Sequence, residues 1–208
     1  DIFFDLNRDS LIISITGTNG KSTTCKLIEK ILKTANYKVG TIGNIGNPVL
    51  YNKNNIKNNV LILEISSYQL QYSKTFRSNY AAILNISPDH LDRHKNMKNY
   101  MKIKSRIFLA QKKQDYSYIN GENKYFKFLK KNFVNKKIKS KLILIKKRNC
   151  QNILKKVKNK YFKNNANIEN FSFAYEIAKK LKIKNNQIIK ALNNFKGLPH
   201  RQEIVFSS

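Results

Sequence analysis

The apolar positions of this chain follow two periods. Leu11-Ile12-Ile13-Ser14-Ile15 is short, apolar and rich in β-branched residues, the pattern of a buried parallel strand. Leu27, Ile28, Ile31, Leu32 and Ala35 then recur at helical spacing. Further strands are predicted at 37–42, 60–65, 80–86, 116–119 and 141–145. Helices are predicted at 97–110, near 122–131, at 168–181 and at 186–195, the last ended by Gly197-Leu198-Pro199. Residues 43–48 and 52–59 read as polar turns and 1–7 as a short lead-in; 146–163 lacks a clear period and reads as a hairpin. Strands alternating with helices give an α/β fold, a mostly parallel sheet flanked by helices. Ligands of such sheets bind beyond the carboxyl ends of the strands, so topology alone gathers Lys21, Asn44, Glu64 and His90.

Between the first strand and the first helix lies Thr16-Gly17-Thr18-Asn19-Gly20-Lys21-Ser22-Thr23. A strand, a glycine-bearing turn and a helix opening at Lys-Ser form a phosphate-binding P-loop. Ile15 stands where the general pattern has its first glycine. The amides of the first helical turn face phosphate oxygens, and the helix dipole favours negative charge there. Lys21 supplies a cation for the β- and γ-phosphates, and the hydroxyl of Ser22 or Thr23 can reach Mg²⁺.

Composition changes this picture little. The chain has 208 residues, suited to one large domain, and 41% hydrophobic residues, enough for a core. It begins with Asp1, so it reads as a piece of something longer. No apolar run approaches the ~20 residues of a membrane span. Cys25 and Cys150 lie far apart and read as reduced thiols of a cytoplasmic protein. The net charge of +29 raises a basic nucleic-acid module as an alternative. Lysine is spread from Lys21 to Lys196, densest between Lys124 and Lys163, and no aromatic-basic recognition motif accompanies it. The charge therefore reads as the Lys, Asn and Ile usage of an AT-rich genome, with non-specific nucleic-acid binding at most.

Two features carry candidate chemistry. Glu64 ends an apolar strand, where an unpaired carboxylate is costly; Mg²⁺ at the phosphate loop, or a buried Lys or Arg, would compensate it. Asp89-His90-Leu91-Asp92-Arg93-His94 follows the fourth strand, and acids with imidazoles at that density suit metal ligation or a solvated loop.

These residues resemble the muramyl ligases, the ATP-dependent amide-forming enzymes of peptidoglycan synthesis, over nearly the whole chain. Thr16 to Thr24 is similar to that family's nucleotide loop, missing first glycine included. Gly43-Asn44-Ile45-Gly46 with Pro48, and Leu63-Glu64-Ile65-Ser66-Ser67-Tyr68-Gln69-Leu70, resemble its D-glutamate-adding member. Asn85 to His94 resembles the family more broadly, as does Tyr100 with Lys104 and Ile107-Phe108, the segment whose lysine is carbamylated. Gly197 to Glu203 resembles the hinge into the third domain.

The resemblance implies a P-loop central domain over 1–197, a hinge from 198 to 208, and an N-terminal uridine-binding domain outside the chain. It implies that Gly17, Thr18, Asn19, Gly20, Lys21, Ser22 and Thr23 hold ATP, flanked by Asn170 and Arg201. Mg²⁺ would occupy two sites, one at Ser22, Thr23 and Glu64, the other at His90 and carbamylated Lys104. Asn44, Ser66 and Gln69 would face UDP-N-acetylmuramoyl-L-alanine, whose carboxylate is phosphorylated and then attacked by D-glutamate. The enzyme is expected to be a monomer, and this chain alone is expected not to form the amide. Ala166-Asn167 stands where the family usually has His-Asn. The alternatives are a folylpolyglutamate synthase-like ligase of the same superfamily and a non-catalytic nucleotide-binding fragment.

Overall fold

The computed structural model of the chain describes residues 9–43 and 60–198. Six parallel strands form one sheet: β1 (Leu11–Thr16), β2 (Val39–Gly43), β3 (Val60–Glu64), β4 (Tyr80–Ile83), β5 (Tyr116–Asn120) and β6 (Lys141–Ile145). Their order is β2-β3-β1-β4-β5-β6. β1, with β3 on one side and β4 on the other, lies inside the sheet, and Ile15 is in register with both Glu64 and Ala82.

Alternation decides which face each side chain covers. Ile13, Ile15, Val60 and Ile62 enter one core; Ile12, Leu61 and Leu63 enter the other. The first core is closed by α1 (Lys21–Thr34), α7 (Asn165–Lys180) and α8 (Asn185–Asn193), through Leu27, Ile28, Ile31, Phe171, Phe173, Ile188 and Leu192. The second is closed by α4 (Met97–Lys104), its 3₁₀ extension Ser105–Phe108, and α5 (Phe126–Asn135), through Tyr100, Met101, Phe108, Leu129 and Phe133. Two short helices, α2 (Ser67–Tyr72) and α3 (Leu91–His94), follow β3 and β4, and α6 (Gln151–Leu154) follows β6.

The predicted strands are present, and the helices differ at their ends for local reasons. α5 starts at Phe126 rather than near 122 because two asparagines hold the preceding turn. Asn120 Oδ1 accepts from the Glu122 amide at 2.8 Å, and Asn123 Oδ1 from the Tyr125 amide at 2.9 Å. The segment 146–163 is not a hairpin. It forms 3₁₀ turns at Lys147–Cys150 and Lys160–Lys163 around α6. Cys150, Ile153, Tyr161 and Phe162 turn from it into the first core, which no two-residue alternation would achieve. Asn44, the turn around Pro48, the loop 52–59 and Arg201 lie outside the described residues.

Candidate functional site

The site is built at the carboxyl end of β1. Gly20 caps α1 with φ 80°, a conformation L side chains rarely adopt. A Cβ there would lie 2.1 Å from Asn170 Oδ1, so any other residue would push the Asn170 side chain away from the loop. The loop is fixed from the segment after β4. The Thr18 amide donates to the Asn85 carbonyl at 3.0 Å, and the Asn19 amide to Asn85 Oδ1 at 2.9 Å. The Ser87 amide donates to Thr18 Oγ1 at 3.1 Å. Tyr100 OH lies 3.3 Å from the same oxygen, which joins α4 to the loop.

Lys21 folds back over this loop, its Nζ donating to the carbonyls of Gly17 at 3.0 Å and Thr18 at 2.8 Å. One residue on, Ser22 Oγ donates to Glu64 Oε2 at 2.8 Å in a buried contact. Glu64 is 4% exposed, and among the described residues the carboxylate at the end of β3 is met by the first turn of α1 rather than by a buried Lys or Arg. A hydroxyl and a carboxylate side by side are hard oxygen donors, suited to Mg²⁺, which takes few protein ligands and completes its shell with phosphate and water. Among the described residues no three His, Cys, Asp or Glu side chains gather as a metal cluster.

Lys104, at the end of α4, is 2% exposed. Its Nζ donates to the Gly17 carbonyl at 3.0 Å and Thr16 Oγ1 at 3.4 Å, and lies 4.8 Å from the centre of the Tyr100 ring. Burial above all, then the charge of Lys21, lowers its pKa to about 7, while Asp89 acts the other way.

A family model described as the Mur ligase middle domain matches residues 15–190. The chain belongs to the Mur ligase family. The chain spans about half the length of the curated relatives it matches. It is 34% identical over 220 residues to the UDP-N-acetylmuramoylalanine–D-glutamate ligase of Rickettsia bellii, covering 98% of this chain and 48% of that protein. It is 36% identical over 230 residues to the ligase of the same name from Clostridioides difficile, covering 99% and 49%. Among solved structures, MurF of Acinetobacter baumannii superposes with a TM-score of 0.73 at 15% identity, covering 99% of this chain and 50% of that one. MurF ligase of Thermotoga maritima, solved in complex with ADP, superposes with a TM-score of 0.69 at 16% identity, covering 95% and 52%. At those identities the superpositions establish the shared fold.

The Mur ligase domain brings Gly17, Thr18, Asn19, Gly20, Lys21, Ser22, Glu64, Lys104 and Asn170 into one neighbourhood, and treats the other expected residues differently. His90 is an exposed helix cap with φ 52°, its Nε2 3.3 Å from Asp89 Oδ2. Ser66 and Gln69 form a capping box on α2: the Gln69 amide donates to Ser66 Oγ at 3.2 Å, and the Ser66 amide to Gln69 Oε1 at 2.9 Å. Asn167 is buried and donates to the Tyr161 carbonyl at 2.9 Å, while Ala166 lines a cleft of about 580 Å³. Asn19, Gly20, Asn85, Glu169 and Asn170 share that cleft.

Sequence reasoning missed three residues here. Asn85 and Glu169 join across the cleft through Asn85 Nδ2 and Glu169 Oε1 at 3.3 Å, a pairing 84 residues apart without a local signal. His94, rather than His90, is the buried histidine. Its Nε2 lies 2.9 Å from Ser67 Oγ, and burial is the main cause lowering its pKa.

Proposed function

We propose that this Mur ligase domain is the ATP-binding core of an ADP-forming ligase that joins D-glutamate to UDP-N-acetylmuramoyl-L-alanine in peptidoglycan synthesis. The observation that carries the reading is the buried Ser22–Glu64 hydrogen bond at the phosphate loop. The D-glutamate ligase name of relatives 34% to 37% identical supports the choice of substrates. The loop amides and Lys21 hold the ATP phosphates, Lys21 turning outward from the Gly17 and Thr18 carbonyls that it now contacts. Asn170, packed over Gly20, and Arg201 flank the nucleotide. Ser22, Thr23 and Glu64 hold one Mg²⁺; His90 and Lys104 serve a second site. Mg²⁺ bound there supplies charge neutralisation for the transferring phosphoryl group.

Lys104 contributes an amine whose neutral form is abundant near pH 7. Addition of that amine to carbon dioxide forms the N–C bond of a carbamate and releases one proton, turning a buried cation into an oxygen ligand. Asn44, Ser66 and Gln69 face the muramyl substrate, whose carboxylate takes the γ-phosphoryl group as ADP leaves. The amine of D-glutamate then displaces phosphate to give the amide. The buried, free thiols of Cys25 and Cys150 accord with a cytoplasmic site of action.

Titration calorimetry tests the core of this reading. The chain binds Mg·ATP weakly, and Lys21→Ala loses the binding; equal affinities would end the reading. In the full-length protein supplied with UDP-N-acetylmuramoyl-L-alanine, sustained ADP formation requires D-glutamate, and D-alanyl-D-alanine in its place does not sustain it.

A further inference from the structure

The basic charge is concentrated in one contiguous stretch, which the fold sets along one edge of the sheet. Sixteen of the 41 Lys and Arg residues lie in 123–168, together with none of the 12 Asp and Glu. That stretch forms α5, β6, α6 and their connections, with β6 at the sheet's outer edge. Its bases are placed on both faces of that edge. α5 buries Leu129 and Phe133 and leaves Lys127, Lys130 and Lys131 exposed; Lys136 and Lys137 continue the same exposure past its end. On the other face, Lys155, Lys156, Lys158 and Lys160 surround α6. Uniform lysine usage accounts for the number of these residues, not for the exclusion of acids from this one stretch.

The edge leads to the nucleotide site. Lys124 and Lys147, the first base of the stretch and one just after β6, both line the cleft that contains Asn19, Gly20 and Asn170. Lys147 is tied there by its amide, which donates to Glu122 Oε2 at 3.2 Å. The acids that line the cleft, Glu122 and Glu169, precede and follow the acid-free stretch. α5 is about 15 Å long at 1.5 Å per residue, so its lysines fall within one Debye length of Lys124 at low salt.

We infer that the α5–β6 edge is an electrostatic funnel that steers the polyanionic nucleoside triphosphate into the cleft past Lys124 and Lys147. The inference rests on the nucleotide-binding reading above and adds a role for residues that make no contact with the bound nucleotide. Clefts with one sign of charge around them raise association rates about 10- to 1,000-fold, and the effect falls steeply with ionic strength.

Stopped-flow association of fluorescent N-methylanthraniloyl-ATP with Mg²⁺, measured on the whole 208-residue chain, tests it. One variant carries Lys127→Glu, Lys130→Glu, Lys131→Glu and Lys136→Glu. A control makes the same net-charge change at Lys38, Lys182, Lys190 and Lys196, exposed bases outside the stretch. At about 0.01 M salt, where the Debye length is about 30 Å, the first variant should associate about tenfold more slowly with an unchanged off-rate. The control should change less than about twofold, and all three proteins should converge near 1 M salt. Equal slowing in both variants would overturn the inference, leaving only the overall charge at work. So would a change carried by the off-rate, which would mean direct contact. If the unmodified chain does not bind at any salt, the nucleotide-binding reading itself fails, and the funnel with it. Matching melting temperatures of the three proteins exclude a folding defect as the cause.

Discussion

The inner strands of the sheet and its outer edge handle lysine in opposite ways. β3 and β4 are buried at every position, and the single lysine that reaches the loop from beneath, Lys104, is enclosed by the Gly17 carbonyl, Thr16 Oγ1 and the Tyr100 ring. β6 opens on exposed Lys141 and holds three half-buried residues before Ile145 is fully covered. Its neighbour α5 and the turns flanking α6 expose most of their bases to water. Enclosure makes Lys104 chemically distinct, because desolvation raises the free energy of its charged form. Exposure leaves the outer lysines as fixed charges that also protect an edge strand from pairing with another chain. The same residue type is a desolvated amine in one region and a solvated charge in the other.

The sharpest way to break this comparison is pH. The folded-state pKa of Lys104 lies near 7, below the ~10.4 of an unfolded lysine. Above about pH 10.4 neither state is charged and burial carries no ionic penalty. Between the two values the unfolded chain holds a proton that the folded chain has released, so stability rises with pH; below 7 the penalty is complete. The unmodified chain should gain roughly 4–5 kcal/mol from pH 7 to 10.4 relative to Lys104→Met, followed by urea unfolding. Taking the difference between two proteins removes the buried thiols. Burial pushes Cys150 up to about 12, and its contribution has the opposite sign. Lys127→Met, at the outer edge, should change stability by less than about 0.5 kcal/mol at any pH. Parallel curves for all three proteins would mean that Lys104 is not enclosed.

A packing test comes next. Ile62, fully buried on β3 in the first core, should cost about 2–5 kcal/mol on replacement by Ala. Leu142, half-buried on β6, should cost about 1 kcal/mol, roughly half the transfer energy of an enclosed leucine. Equal losses in denaturant melts would show that the edge is packed as tightly as the centre.

A stability effect smaller than that at Ile62 sharpens the site itself. Gly20→Ala imposes about 1–2 kcal/mol of left-handed backbone strain and displaces the Asn170 side chain from its place over the loop. Nucleotide affinity should fall by more than this stability change alone explains. Unchanged affinity in the calorimeter would show that the loop does not need Asn170 where it stands.

Much of the fold was legible because each strand of a parallel sheet is a local apolar run and each helix a local period. The loop was legible because Gly20-Lys21-Ser22 must be contiguous to open a helix on a phosphate. Glu64 was legible as an acid ending an apolar strand. The segment 146–163 was not, because its turns are held by Cys150, Ile153, Tyr161 and Phe162 finding a distant core. Ser66 and Gln69 read as substrate-facing, yet their first use is to cap α2.

Sequence by itself determined the α/β class, the phosphate loop and the family, since all three reside in short contiguous patterns. Tertiary structure decided what the shared residue types do. It paired Ser22 with Glu64 across 42 positions, buried His94 while leaving His90 in water, and enclosed Lys104 beneath the loop. The physical reason is the same in each case. Burial and charge density are properties of what surrounds a residue in space, and those surroundings come from segments that the sequence keeps far apart.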